Sequence, residues 1–180
     1  GLGDVYKRQL FFCPTMTSSA PDTPETPTTD SPEAAKPFMR TIKSFVKRAG
    51  RMGSGQERAM AELGPKFLLP YQPSAINFEA VFAGATGAEG TNDSKRPVVL
   101  EIGFGMGEAT AQIALTLPGT NFLCCEVHEP GVGALLKRIG ENNIPNIRIC
   151  NHDAVEVIDH MLPPASLDGC LLYTSPSPRD

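Results

Sequence analysis

Short apolar runs alternate with segments of helical spacing from residue 98 towards the end of the chain. The first run, residues 98–102, is rich in β-branched residues and is followed at once by glycines and a helical pattern, which is typical of a buried parallel strand entering a turn and a helix. We therefore expect an α/β fold with a doubly wound parallel sheet. The strands are predicted at 98–102, 121–126, 146–150 and from 166 onward, and the helices at 107–117, 130–142 and 154–161.

Three glycines spaced two apart, Gly103, Gly105 and Gly107, follow the first strand. Such a turn lets the backbone approach a ligand, because no Cβ stands in the way, and the helix N-terminus adds free N–H donors. A dinucleotide fingerprint has its third glycine in the sixth place, where this chain has Glu108, whose charge would repel a pyrophosphate. S-adenosylmethionine has no phosphate and fits better, with Glu101 as a partner for its ammonium group. Alone, the glycines are equally consistent with any glycine-rich strand-to-helix turn.

Carboxylates stand at the ends of the next two predicted strands, where parallel sheets bind ligands. Glu126 lies 19 residues after Gly107, a spacing at which an acid accepts hydrogen bonds from ribose hydroxyls; the alternative is a solvated strand cap. Asp153 or the N–H of Ala154 is predicted to contact an adenine edge, and Asp153 also suits the N-cap of the next helix. His128 is interpreted as a loop or packing histidine rather than a catalytic one.

Other catalytic patterns are missing from the sequence. It shows no Ser/His/Asp set, zinc-ligand spacing or Walker loop, which argues against hydrolases, NTPases and a metal site. His152 and His160 have no evident partner and are predicted to be structural or exposed. Cys124 and Cys125 are adjacent on one predicted strand and are interpreted as small buried hydrophobic residues on opposite faces.

The 180 residues carry a formal charge of −4, which is unevenly distributed. Residues 16–37 consist almost entirely of Thr, Ser, Pro and acids and predict a disordered tail. Residues 36–66 hold eight bases and two acids, whereas residues 89–169 hold five bases and 11 acids. A basic arm on an acidic domain suggests a polyanionic partner, although a merely solvated basic helix face is the simpler alternative.

The region before the first strand is predicted to contain three helices. Apolar spacing indicates one within the basic arm at residues 42–49. A second is expected at 54–63, with Ser54 as its N-cap and Glu57 completing a capping box. A third, short helix is expected at 75–82, before a flexible connection into the first strand.

Both ends of the chain are predicted to be foreign. Residues 1–9 and 170–177 can be encoded by one DNA element read on opposite strands, which resembles a sequencing-library adapter. We therefore expect the natural sequence to stop near Gly169, so that the C-terminal half of the domain is missing, and to start at Met16. The expected organisation is an adapter-derived segment at 1–9, leader and tail at 10–37, basic arm and loop at 38–97, the N-terminal half of the domain at 98–169 and a second adapter-derived segment at 170–180.

Two features that the sequence lacks, a long apolar run and disulfide spacing, predict a cytoplasmic protein. No apolar run approaches the ~20 residues of a membrane-spanning helix. The five cysteines show no disulfide spacing, which favours a reducing, cytoplasmic setting.

Four motifs together resemble the bacterial tRNA (guanine-N7)-methyltransferases. They are LEIGFGMG at 100–107, EVHEPGVG at 126–133, HDAVE at 152–156 and SFVKRAGRM at 44–52. The resemblance implies a class I, Rossmann-like methyltransferase that moves a methyl group from S-adenosylmethionine to a guanosine N7 in the tRNA variable loop. In that family the acids that match Glu101, Glu126 and Asp153 line the cofactor site. The expected cofactor-binding residues are then Glu101, Gly103, Gly105, Gly107, Glu126, Asp153 and Ala154.

The chain departs from this family after the fourth strand. Family members continue with a Phe-Pro-Asp-Pro-Trp segment, which carries the reputed catalytic Asp, and a basic run for tRNA, whereas residues 173–178 read YTSPSP here. We therefore assign no catalytic residue and expect this chain to be inactive and the intact protein to be a monomer. Residues 170–173 are apolar and are expected to fill the slot of the fourth strand. The alternatives are a class I methyltransferase for a small molecule or protein, and a non-catalytic nucleotide-binding module.

Overall fold

The structure, a computed structural model, describes residues 50–84 and 96–172. The predicted tail, the arm helix at 42–49 and the adapter-derived residues 1–9 and 173–180 lie outside these ranges. The helices are α1 (Ser54–Phe67), α2 (Phe78–Val81), α3 (Glu108–Thr116), α4 (Glu129–Asn142) and α5 (Ala154–Met161), and the strands are β1 (Val98–Ile102), β2 (Asn121–Cys125), β3 (Ile147–Cys150) and β4 (Gly169–Leu172).

The four strands form one parallel sheet in the order β3-β2-β1-β4. β1 pairs with β2 from Val98↔Asn121 to Ile102↔Cys125, and with β4 along its other edge. The chain passes from β1 through β2 to β3 and then returns to the far side of β1, which is the doubly wound arrangement. The predicted α/β fold with a parallel sheet is confirmed, and β1 lies in the middle of the sheet.

Helices cover both faces of the sheet because alternate side chains of each strand point to opposite sides. On one face Phe122 and Cys124 belong to a core that also contains residues of α1, α3 and α4. On the other face Leu123 and Cys125 pack with residues of α2 and α5. The adjacent cysteines therefore face opposite cores, as predicted. Burial raises the pKa of both thiols, which keeps them protonated and apolar in character.

Helix α1 differs from its prediction at both ends. Its N-cap is Gly53 rather than Ser54, and the Gly53 N–H donates to the Gln56 side chain over 2.9 Å, so Gln56 takes the position expected of Glu57. The helix also continues past the predicted end at residue 63 to Phe67, in spite of a proline in its last turn. Phe67 is buried in the core, and this burial outweighs the backbone hydrogen bond that the proline cannot make.

Helix α1 lies close against α4 because glycines of α4 line the contact. A Cβ built at Gly133 would lie 2.9 Å from the Cβ of Gln56, and one at Gly140 would lie 2.8 Å from Leu63 Cδ1. A larger residue at Gly133 would push the two helices apart, whereas at Gly140 the end of the Leu63 side chain can turn aside. Helix α1 is thereby held along α4.

Helix α2 and strand β4 also differ in their bounds from the prediction. Helix α2 is shorter than the expected 75–82 and begins after Asn77, whose side chain accepts from Glu79 N at 2.8 Å and Ala80 N at 3.2 Å. The fourth strand begins only at Gly169, so it is formed largely by residues that the sequence assigns to an adapter. These residues fill the slot beside β1, as expected; their adapter origin stays a prediction.

Candidate functional site

The glycine turn after β1 is open on one side and closed on the other. All three glycines have positive φ: 72° at Gly103, 61° at Gly105 and 70° at Gly107. A Cβ built at Gly103 or Gly105 would have no neighbour within 4 Å, whereas one at Gly107 would lie 2.8 Å from the Cβ of Leu135. Gly103 and Gly105 therefore present bare backbone to open space, while Gly107 lets α3 begin close against α4.

The carboxylate of Glu126 is held against this turn. Its Oε2 accepts from Gly105 N at 2.9 Å, and its Oε1 accepts from Val127 N at 2.8 Å and His128 N at 3.0 Å. Parallel pairing places the end of β2 beside the end of β1, which is why the acid after Cys125 reaches the turn. The structure thus brings Glu126 together with the glycine turn, while its predicted role towards a ribose stays a prediction.

Gly131 is a residue of this site that the sequence analysis missed. A Cβ at this position would lie 2.1 Å from the carbonyl oxygen of Gly105 and 3.6 Å from Glu126 Cγ. The first turn of α4 therefore packs backbone to backbone against the glycine turn. The available signal was a glycine inside the first turn of a predicted helix, a position where glycine is unfavourable unless close packing requires it.

Asp153 lies beyond β3, at the same edge of the sheet. Its Oδ1 accepts from Val155 N at 3.1 Å, so the alternative role as the N-cap of α5 is confirmed. The side chain of Asn151 donates to the carbonyl of Glu126 over 2.7 Å and ties the ends of β2 and β3 together. Ala154 is the first residue of α5.

Glu101 is a buried residue of β1, two positions before the glycine turn. It is 7% exposed, and its carboxylate accepts from the Thr110 hydroxyl at 3.0 Å and contacts Cys124 Sγ at 3.7 Å. Burial raises the pKa of Glu101, and these two hydrogen bonds lower it in part. Its expected role towards an ammonium group stays a prediction.

The three histidines take part in contacts within the described residues. His128 lies in the loop after β2 and is the N-cap of α4, where its carbonyl accepts from Gly131 N at 2.9 Å. His152 contacts Glu156, and the exposed His160 contacts Tyr71, so the prediction that both are structural or exposed is confirmed, although the sequence showed neither partner.

Glu108 forms an ion pair at 2.5 Å with Arg138 of α4. The arginine offsets the negative charge of Glu108, so this residue would repel a pyrophosphate less than the sequence suggested.

The described part of the chain contains neither a candidate metal site nor a helix that could span a membrane. Within residues 50–84 and 96–172, no group of three or more His, Cys, Asp or Glu side chains could hold a metal ion. None of the helices α1 to α5 is long and apolar enough to cross a membrane.

Comparison with known proteins agrees with this geometry. Residues 95–179 match a family model described as "Putative methyltransferase". A tRNA (guanine-N(7)-)-methyltransferase of Albidiferax ferrireducens is 66% identical over 137 residues, which cover 76% of this chain and 56% of the relative. An enzyme of the same name from Acidovorax sp. (strain JS42) is 50% identical over 88% of this chain and 61% of its own length. Another, from Burkholderia lata, is 56% identical over 74% of this chain and 49% of its own length.

The chain belongs to the tRNA (guanine-N7)-methyltransferase family. It spans about half the length of the curated relatives that it matches. The family match includes β1, the glycine turn, Glu126, Gly131 and Asp153. The observed parallel sheet is the architecture expected of a class I methyltransferase from this family, as the sequence motifs implied.

Proposed function

We propose that this chain is the cofactor-binding part of a methyltransferase that takes S-adenosylmethionine as donor and methylates guanosine N7 in tRNA. The observation that carries the proposal is the Glu126 carboxylate beside the open glycine turn. Three backbone N–H groups orient it and occupy three of its approximately four lone-pair sites. The remaining site, on Oε2, is suited to accept a ribose hydroxyl.

The other residues suit the remaining parts of the same ligand. The bare backbone at Gly103 and Gly105 accommodates the body of the donor, and Asp153 with the Ala154 N–H suits the adenine edge. We propose Glu101 for the ammonium end, directly or through water, because an adjacent cation would compensate its buried charge. When bound, S-adenosylmethionine supplies the electrophilic methyl group.

The proposed acceptor demands little chemistry from the protein. N7 of neutral guanosine is already a nucleophile, so the protein mainly has to align it with the methyl group, and no strong general base is needed. The excess of bases in residues 36–66 suits a polyanion such as tRNA, because Lys and Arg neutralise phosphates. The names of the relatives point to the same acceptor.

We further propose that the 180-residue chain binds the donor but does not transfer methyl groups, because residues 173–178 read YTSPSP where the family resemblance places the segment with the catalytic Asp. The intact protein is proposed to be a cytoplasmic monomer. Labelled donor, offered with tRNA or with a protein extract, tests the acceptor. The intact Albidiferax ferrireducens relative is expected to label tRNA, and this chain is expected to label neither. Labelling of protein by the relative would favour the alternative acceptor class, and turnover by this chain would refute its inactivity.

Replacing Glu126 with glutamine is expected to raise the Kd for S-adenosylhomocysteine about tenfold, which equals about 1.4 kcal/mol. The new amide would lose the negative charge and direct an N–H₂ group towards backbone N–H donors. Isothermal titration calorimetry measures the change.

Glu129→Gln is the matched control, because Glu129 is an exposed acid at the start of α4 and its change removes the same charge. It should stay within about twofold of the unaltered chain. Equal affinities for all three proteins would refute the ribose role.

A further inference from the structure

A cluster of aromatic and titratable side chains lies outside the glycine turn. The Tyr71 ring stacks on the His152 ring with centroids 4.0 Å apart and planes inclined by 13°. Its hydroxyl lies 2.7 Å from His160 Nδ1, and His152 in turn contacts the carboxylate of Glu156. The proposed function assigns no role to Tyr71, His152, His160 or Glu156.

The segment that carries Tyr71 is fixed at both ends. On one side Leu69 N donates to Ile149 O of β3 over 2.8 Å, and on the other Ile76 N donates to Met161 O at the end of α5 over 2.8 Å. The segment therefore runs from β3 to the far end of α5 and carries Tyr71 across the loop between these two elements. Backbone hydrogen bonds, rather than the side-chain cluster alone, hold the tyrosine in place.

The loop under Tyr71 is the one proposed to meet the adenine. Asn151 at its start is bonded to the Glu126 carbonyl, and Asp153 at its end caps α5. His152, the residue between them, is the one on which Tyr71 stacks. The loop is thus held at three successive residues, each by a different part of the molecule.

We propose that Tyr71 is a positioning residue for donor binding, which clamps residues 151–153 so that Asp153 and the Ala154 N–H meet the adenine edge. This inference rests on the proposed function. The stack fixes the loop through the His152 ring, and the hydroxyl fixes the tyrosine through His160. Tyr71 itself need not touch the donor.

Two substitutions of Tyr71 separate the ring from the hydroxyl. Tyr71→Leu removes the stack and is expected to raise the Kd for S-adenosylhomocysteine about fivefold to tenfold, whereas Tyr71→Phe keeps the ring and should stay within about twofold. Amide hydrogen exchange of residues 151–155, measured without ligand, should quicken in Tyr71→Leu.

Phe82→Leu is the control for a purely structural effect. Phe82 belongs to the core against which Tyr71 packs, but it lies at the C-terminal end of α2, away from residues 151–153. Phe82→Leu should therefore lower Tm and leave the Kd within about twofold. Equal Kd changes in Tyr71→Leu and Phe82→Leu, or an unchanged Kd in Tyr71→Leu, would overturn the inference. If the unaltered chain binds no S-adenosylhomocysteine, the proposed function fails, and the exchange of residues 151–155 alone still decides whether Tyr71 holds the loop.

Discussion

Gly131→Ala is expected to raise the Kd for S-adenosylhomocysteine by more than about 100-fold. The added Cβ would lie 2.1 Å from the Gly105 oxygen and 3.1 Å from the Gly105 carbonyl carbon. Both are backbone atoms, so neither can rotate away, and either the glycine turn or the first turn of α4 has to move. The hydrogen bond from Gly105 N to Glu126 Oε2 would be lost with that movement.

Gly140→Ala is the matched control because it makes the same change in the same helix. Its Cβ would meet only Leu63 Cδ1, the end of a flexible side chain, at 2.8 Å. The gain in helix propensity, about 1 kcal/mol, offsets the small rearrangement, so Tm and Kd should barely change. Calorimetric titration of both variants decides the matter: a Kd for Gly131→Ala within about threefold of the unaltered chain would mean that the turn does not form the donor site.

The sequence predicted those parts of the fold that depend on local periodicity. β1, β2, α4 and α5 lie within one residue of their expected bounds, because each shows a clear apolar pattern bounded by turn residues. The N-cap of α1 was wrong by one residue because Ser54 is the better N-cap by type, whereas in the structure the Gln56 side chain accepts from Gly53 N. The end of α1 depends on the burial of Phe67 against distant strands, which no local pattern indicates.

The site was predictable where topology alone brings residues together. Glu126, the glycines and Asp153 follow strand ends, and a parallel sheet gathers such ends at one edge. Contacts made by side chains over long sequence separations were not predictable. Tyr71 meets His160 across 89 positions, and Arg138 meets Glu108 across 30, so neither pairing leaves a pattern in the sequence. Gly131 left a signal in the sequence, a glycine in the first turn of a helix, but its partner, a carbonyl in another turn, was not predictable.

Arg148 is the clearest case of a residue whose role only the tertiary structure reveals. It lies on β3 and is 6% exposed, between the rings of Phe67 and Phe82 at 5.4 Å and 5.2 Å. Its guanidinium donates to the carbonyls of Val81 at 2.9 Å, Pro145 at 3.0 Å and Ile147 at 2.7 Å. Burial lowers the pKa of Arg148, although a guanidinium stays protonated in proteins. One side chain thus joins the end of α1, the end of α2 and the edge of the sheet.

Arg148→Met is therefore expected to lower the free energy of unfolding by about 3 kcal/mol, even though methionine is the more hydrophobic residue. The substitution removes the desolvation cost of a buried charge, but it leaves carbonyls without a donor and loses two cation–π contacts. The loss of donors dominates because three carbonyls depend on one planar group. Arg148→Lys should recover only part of the difference, since an ammonium group cannot reproduce the planar fork.

Urea unfolding followed by circular dichroism measures these differences, with Arg138→Met as the control. Arg138 is a partly exposed arginine whose ion pair with Glu108 should contribute less than about 1 kcal/mol. If Arg148→Met proved as stable as the unaltered chain, the desolvation cost would match the contribution of the three hydrogen bonds and two cation–π contacts. The guanidinium would then make no net contribution to stability, and its hydrogen bond to Val81 would not be what holds α2 to the sheet.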